Sequence, residues 1–345
     1  MADSPVSSAA DPICSICIAN FNGIGVIEAC LRSVFDQDCG FPVEVIVHDD
    51  ASTDASVEFV RRNYPQVVVI ASQENVGFCV ANNRMAAAAR GQYLLLLNND
   101  AELFPDALRT LHAAAVQMAR PCVLGLPQYD ASTGMLIDMG SDLDPFFNPI
   151  PNLHARERDV GMIIGACLWI PQTLWRELGG FPEWLHTLAE DMFLCAYARL
   201  KGYPVRALSE SGFRHWIGRS LGGGKVVSNR LATSLVRRRL SERNKSCVIA
   251  VCLPAPWMQL LLPLHVALLL VEGIALAAIK REPAILNEIY WGAIRGVWRM
   301  RATLAEARRS VQRNRTIGAA QFFAPVRWFP HKIRLLANHG LPEIR

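Results

Sequence analysis

Residues 43–54 read Val43-Glu44-Val45-Ile46-Val47-His48-Asp49-Asp50-Ala51-Ser52-Thr53-Asp54. A largely apolar run with the look of a buried strand ends on an acidic cluster. Ser52-Thr53-Asp54 then supplies N-cap chemistry for a helix through Arg62. The arrangement recurs at Tyr93-Leu94-Leu95-Leu96-Leu97, which leads into Asn98-Asn99-Asp100. Carboxylates just past the carboxyl ends of buried parallel strands lie where open α/β sheets bind ligands. The spacing therefore points to a nucleotide and a hard metal ion, with Glu190-Asp191 as a later source of an acid–base group.

The same alternation extends to both sides. Ile13–Ala19 reads as a strand, followed by the turn Asn20-Phe21-Asn22-Gly23 and a helix to about Asp36. Val67–Ala71 is a third strand, and an alanine-rich helix to Arg90 separates it from Tyr93–Leu97. Short strands alternating with helices predict an α/β fold, a mostly parallel sheet flanked by helices. Residues 130–160, rich in Asp, Pro and Asn, read as an irregular excursion. Val160–Pro171 reads as a strand entered through a glycine, and Glu190-Asp191 opens a helix to about Lys201-Gly202. Phe213-Arg214-His215-Trp216 reads as a final loop, with basic helices from about Asn229.

Net charge is +4 over 345 residues, but the halves differ. Residues 1–224 hold 15 Lys and Arg against 25 Asp and Glu, a net of −10, and residues 225–345 hold 20 against 6, a net of +14. A basic half attached to an acidic one faces an anionic surface. Leu260–Ile279, closed by Lys280-Arg281, is apolar enough to favour a membrane interface over a nucleic-acid groove. It has about the 20 residues a span needs, but Pro254, Pro256 and Pro263 interrupt its approach and His265 and Glu272 lie within. An embedded or surface-lying helix is expected rather than a true span or a buried hairpin. Arg237-Arg238-Arg239 reads as a headgroup-facing patch. The expected organisation is a disordered 1–11, a catalytic domain 12–224, and a helical membrane-associating region 225–345.

The ten cysteines suggest buried free thiols in a reducing compartment, since Cys14 and Cys17 on one strand point to opposite faces. Met1–Pro5 shows neither the basic region nor the apolar core of a secretory signal, so a cytoplasmic location is expected, docked on the inner membrane. No Gly-x-Gly-x-x-Gly, Walker loop or Gly-x-Ser-x-Gly elbow is present. With no glycine cradle for phosphate, Mg2+ or Mn2+ held by Asp100 is the expected means of neutralising it.

Ile16-Cys17-Ile18-Ala19-Asn20-Phe21-Asn22, Asp49-Asp50-Ala51-Ser52-Thr53-Asp54, Asn75-Val76-Gly77-Phe78 with Asn82-Asn83, and Leu97-Asn98-Asn99-Asp100 resemble, in that order, family 2 glycosyltransferases of the GT-A fold. Gly179-Gly180-Phe181, Glu190-Asp191 and Gly202-Tyr203 continue the likeness over roughly residues 12–220. The Asn-x-Asp form of the metal motif is similar to the rhamnosyltransferase-type branch. Val80 and Met85 stand where many relatives carry glycine. The resemblance implies that Asn20 and Asn22 shape the nucleotide pocket, joined by Asn83, and that Asp50 meets the base or ribose. Ser52, Asp49 and Asp54 would support that loop. Asp100 would bind the metal, Asn98 the ribose or the metal's water shell, and Asp191 would be the general base, with Glu190 in support. His215 would meet the metal or diphosphate, with Ser220 nearby.

The implied activity is inverting transfer of a sugar, rhamnose in that branch, from a nucleotide-sugar donor to a lipid-linked or glycan acceptor in bacterial surface-polysaccharide synthesis. A sugar-nucleotide nucleotidyltransferase and an inactive membrane-tethered scaffold of the same fold are the competing readings.

Overall fold

The computed structural model describes residues 11–154, 158–216, 223–227 and 230–344. Ser220 lies outside the described residues, as does the expected disordered terminus apart from Asp11.

The strands begin with β1 (Cys14–Asn20), β2 (Val43–Asp49), β3 (Val68–Ala71) and β4 (Tyr93–Asn98). Next come β5 (Ala101–Leu103), β6 (Val123–Gly125), β7 (Gln128–Asp130), β8 (Leu136–Asp138), β9 (Asp142–Leu143) and β10 (Pro149–Ile150). β11 (Arg158–Asp159), β12 (Cys167–Pro171), β13 (Val205–Ala207) and β14 (Phe213–His215) follow. Helices α1 (Ile27–Phe35), α2 (Ser56–Asn63), α3 (Phe78–Ala88), α4 (Ala107–Gln117), α5 (Gln172–Leu178) and α6 (Glu190–Leu200) are interleaved with them.

The main sheet has the order β11-β13-β6-β12-β4-β1-β2-β3. β3, β2, β1 and β4 run parallel, and their register aligns Asn20 with Asp49 and Ala19 with Asn98. β12 runs antiparallel to both β4 and β6, so the sheet is mixed. That reversal lets the chain re-enter from the ligand-bearing end, where Asn98 N donates to Ala166 O at 3.0 Å. Residues 130–160 are more ordered than their composition suggests. β7 and β8 join β5 and β14 in a second sheet of order β5-β14-β7-β8. Here the aspartates tie down turns: Asp144 Oδ1 accepts from Phe146 N and Asn148 N, both at 2.9 Å.

Strand periodicity separates two apolar layers. Cys17, Ile46, Leu94, Leu96, Leu168 and Ile170 face one layer, while Ile16, Ile18, Val45, Val47, Leu95 and Leu97 face the other. Cys14 and Cys17 fall in opposite layers, and all ten cysteines are free. In α1 the buried residues Ile27, Cys30, Leu31 and Val34 form the apolar stripe expected of a helix laid on a sheet.

The C-terminal half comprises α7 (Leu235–Cys252), α8 (Trp257–Lys280) and a π-helical turn, Ile285–Trp291, that runs into α9 (Gly292–Arg299). α10 (Arg301–Arg313), α11 (Ala319–Phe322) and α12 (His331–His339) complete it. Helix starts at Leu235 rather than about Asn229, because Gly223–Val227 and Arg230–Thr233 pair as strands. The boundary expected at residue 224 does not divide two cores. Val248, Cys252, Leu304, Val311 and Phe322 lie in the same apolar layer as Met85, Leu94 and Leu194.

Among the described residues, α8 is the one helix long and apolar enough to cross a membrane. His265 and Glu272 point inward. His265 Nε2 is 2.9 Å from Ser246 Oγ, and burial pushes the imidazole down to about 3. Glu272 pairs with Arg238 at 2.6 Å and Lys332 at 2.7 Å. Leu260, Leu264, Leu268, Val271, Ile274 and Ile279 face outward, each 45–63% exposed. The Arg237-Arg238-Arg239 patch is broken up for the same reason. Arg238 turns into the protein because Glu242 and Glu272 lie beneath it, and Arg237 lies near enough to Glu190 to affect its charge.

Candidate active site

Three polar groups converge at the carboxyl ends of β1, β2 and β4. The first is a lattice around Asn20, whose buried amide donates to Asp49 Oδ1 and Ser56 Oγ at 2.9 Å and to Ser52 Oγ at 3.3 Å. Its Oδ1 accepts from Asn99 Nδ2 at 2.9 Å. Asn20 and Asp49 thus spend their polar atoms fixing the loop. Asn22, at φ 49°, accepts from Thr53 N at 2.8 Å, and its own N–H donates to Ser52 Oγ at 2.8 Å. Asp54 accepts from Ile24 N at 2.9 Å and Ser56 N at 3.0 Å, capping α2 and clasping the β1 turn.

Asp50 is buried, with Oδ1 accepting from Val76 N at 2.6 Å and Oδ2 from Gly77 N at 2.9 Å. Each oxygen keeps a lone pair for a ligand. Gly77 is required twice over: its φ is 87°, and a Cβ there would stand 2.3 Å from His186 Nδ1. Asn83 sits differently from the other predicted nucleotide residues. Its amide exchanges hydrogen bonds of 2.8 and 3.0 Å with the Phe181 backbone, so it ties α3 to the Gly179-Gly180 turn.

The second group is Asn98, Asp100 and His215, drawn together because β14 pairs antiparallel with β5 and sets His215 opposite Ala101. His215 Nε2 stands 3.2 Å from Asp100 Oδ1 and 3.4 Å from Asn98 Nδ2. Asp100 Oδ1 and Asn98 Oδ1 are nonetheless buried with no hydrogen-bond partner. Buried oxygens without donors are costly, and a carboxylate, an imidazole nitrogen and an amide oxygen form a donor set that fits Mg2+ or Mn2+. Among the described residues no group of three or more His, Cys, Asp or Glu side chains is placed to hold a metal ion by itself. A cation here would need water and substrate phosphate to complete its shell. Gln128 lies 2.9 Å from His215 Nδ1 and fixes the ring from behind, as ligand histidines require. Gln128 carries no motif and was not among the expected residues.

The third group is Glu190-Asp191 at the start of α6. Asp191 Oδ2 accepts from Gly165 N at 2.9 Å and Oδ1 from Met192 N at 2.7 Å. Gly165 adjoins Ala166, whose carbonyl holds Asn98, so the third group is braced on the second. Glu190 is buried with Oε2 unpartnered. Burial, reinforced by the Asp191 charge, pushes its carboxyl up to about 8. Burial also raises Asp191, against two backbone N–H donors that favour the anion. Burial and the Asp191 charge therefore put the proton on Glu190, and the negative charge stays on Asp191.

The family model for Glycosyl transferase family 2 matches residues 15–174. An N-acetylglucosaminyl-diphospho-decaprenol L-rhamnosyltransferase of Mycobacterium tuberculosis is 26% identical over 183 residues, covering 44% of this chain and 60% of that protein. Curated relatives above 30% identity are matched over about a third of their length or less. Among solved structures, S. aureus TarS 1-349 aligns with TM-score 0.55 at 19% identity, over 87% of this chain and 88% of that one. GalNAc-T7 with UDP, GalNAc and Mn2+ aligns with TM-score 0.61 at 14% identity, over 97% of this chain and 59% of that one. Residues 15–174 thus resemble glycosyl transferase family 2, and the fold is GT-A-like.

Proposed function

We propose that the chain is a metal-dependent inverting glycosyltransferase that moves a sugar, rhamnose in the closest reading, from a nucleoside-diphosphate donor to a lipid-linked or membrane-proximal glycan. The assembly of bacterial surface polysaccharide at the cytoplasmic face of the inner membrane is the proposed setting. The observation that carries this is the pair of buried Glu190 and half-buried Asp191, braced through Gly165-Ala166 on Asn98, beside Asp100 and His215. A relative named for rhamnosyl transfer onto a decaprenyl-linked sugar and a fold neighbour holding UDP and Mn2+ support the same reading.

The base or ribose of the donor lies against Asp50, with Asn20, Asn22, Ser52 and Asp54 keeping that loop in shape and Asn98 reaching the ribose side. Asp100 and His215 would hold Mg2+ or Mn2+, which neutralises charge on the departing diphosphate. Asp191 takes the proton of the acceptor hydroxyl as that oxygen attacks the anomeric carbon. One displacement forms the new glycosidic bond, breaks the bond to phosphate and inverts the centre. Glu190 keeps its proton throughout and leaves Asp191 the sole anion of the pair.

Acceptor location follows from α8. Its 24 residues make a rod about 36 Å long with His265 and Glu272 turned inward and an apolar stripe outward. Trp291, Trp298, Trp328 and Phe329, each 45–68% exposed, lie on neighbouring elements, the residue types that favour a headgroup boundary. A helix so arranged lies in one leaflet.

The test is turnover of uridine, thymidine and guanosine diphosphate sugars with and without Mn2+, read as released nucleoside diphosphate. Release of pyrophosphate instead indicates nucleotidyl transfer, and absence of both binding and turnover removes the proposal. Flotation with anionic vesicles checks the membrane clause: Leu264→Glu with Leu268→Glu should leave the protein in the unbound fraction.

A further inference from the structure

The turn that delivers Glu190-Asp191 is held in an unfavourable shape. His186, Leu188 and Ala189 have φ of 64°, 71° and 67°, and none is glycine. L side chains disfavour that region, so three such residues within four positions persist only if their surroundings fix them. α3 secures one side, where Cys79 N donates to His186 O at 3.0 Å and the His186 ring packs over Gly77.

The other side is secured by α7. Asn244 is fully buried. Its Nδ2 lies 3.0 Å from Leu185 O, 2.7 Å from Thr187 O and 2.8 Å from Leu188 O. Its Oδ1 accepts from Arg243 Nε at 2.7 Å, and Arg243 Nη2 donates to Leu185 O at 3.2 Å. An amide nitrogen carries two hydrogens, yet three carbonyls converge on it. The Leu188 carbonyl and the Ala189 N–H share one peptide plane, so fixing that oxygen fixes the residue immediately before Glu190.

We infer that Asn244 is a positioning residue for proton transfer: from the C-terminal half it holds the 185–189 turn in its left-handed conformation and so keeps Asp191 aligned on Gly165. This rests on the reading of Asp191 as the base. The helical half of the molecule then sets the rate as well as the location of the reaction. Arg243 assists through the Asn244 oxygen and the Leu185 carbonyl.

The experiment is steady-state kinetics on the full chain with the nucleotide sugar that the wild type turns over. Asn244→Ala should lower kcat by about 100-fold, the scale on which small misplacements of a reacting group act, while donor KM and affinity for the nucleoside diphosphate with Mn2+ stay within about 2-fold. A purely structural role would lower the melting temperature and leave kcat of the folded fraction unchanged, which overturns the inference. Asn244→Ser retains one donor on a smaller side chain, and it keeps the test open if the alanine variant does not fold. An intermediate kcat supports the inference and a wild-type kcat overturns it. Ala189→Gly supplies a rescue, since glycine takes positive φ freely: combined with the Asn244 variant it should recover part of kcat, and no recovery removes the strain-holding role. Asp191→Asn separates the layers. Full activity in that variant defeats the base assignment itself, whereas an inactive Asp191→Asn beside an undiminished Asn244→Ala defeats only the positioning role.

Discussion

Two buried glutamates, one in each half, are treated in opposite ways. Glu242 in the helical half has Lys332 at 2.7 Å and Arg238 at 3.3 Å on Oε1 and Lys245 at 2.8 Å on Oε2. Burial works to raise its carboxyl, but the three cations outweigh that and hold it well below the usual range. Glu190 at the sheet end has the Asp191 carboxylate as its neighbour in place of three cations, and it stays protonated up to about 8. The same side chain at similar burial is a fixed anion in one place and a neutral acid in the other. What distinguishes them is compensation. Where charges are matched the chain is built to last, and where polar atoms are left open it is built to receive something.

The sharpest way to break that contrast is to neutralise Asp191, beside the open glutamate. Asp191→Asn should reduce kcat by roughly 10²–10⁴-fold, the range for loss of a general base, with little change in the unfolding midpoint in urea. A large loss of stability instead would put Asp191 among the matched, structural charges. Glu242→Gln tests the opposite side. It takes the anion from Lys245 and leaves Arg238 and Lys332 to share Glu272, and should cost about 3–5 kcal/mol of stability, measured by urea denaturation, with nucleotide binding in the folded fraction unaffected. Retained stability would show the ion cluster to be dispensable.

Glu190→Gln gives the most diagnostic effect. The folded-state value of Glu190, about 8, lies above its ordinary 4.5, so the folded chain holds an extra proton within that window. Stability therefore falls as pH rises from about 4.5 to about 8 and levels off above it. The glutamine variant should lose that slope and exceed the wild type in stability at pH 8. An unchanged pH profile would place the proton elsewhere.

The four parallel strands and the strand-end clusters were legible because each apolar run stops at a polar group on the ligand side. β4 shows this most plainly, with four leucines before Asn98. β7, β8 and Gln128 were not legible, since short strands joined by aspartate-capped turns carry no period long enough to detect. His215 stood out in the sequence, but only the pairing of β14 with β5 sets it beside Asp100. The arginine run misled for a physical reason: Arg238 is inward-facing only because Glu242 and Glu272 lie beneath it, a meeting between α7 and α8 that sequence spacing does not reveal. Asn244 was missed likewise, because a lone amide amid basic residues gives no sign that it meets a turn 56 to 59 positions earlier.

The apolar layer shared across residue 224 bears on modularity. The segment by which the chain is recognised ends at residue 174, ahead of the acid pair and far ahead of the helices that cover one face of the sheet. A fragment cut at 224 would strip Val248, Leu304 and Phe322 from the apolar layer that holds Met85, Leu94 and Leu194, and one cut at 174 would lose α6 as well. The recognisable part is therefore not a portable catalytic cassette: transplanting this active site onto another scaffold requires carrying α7 and its packing partners along with it.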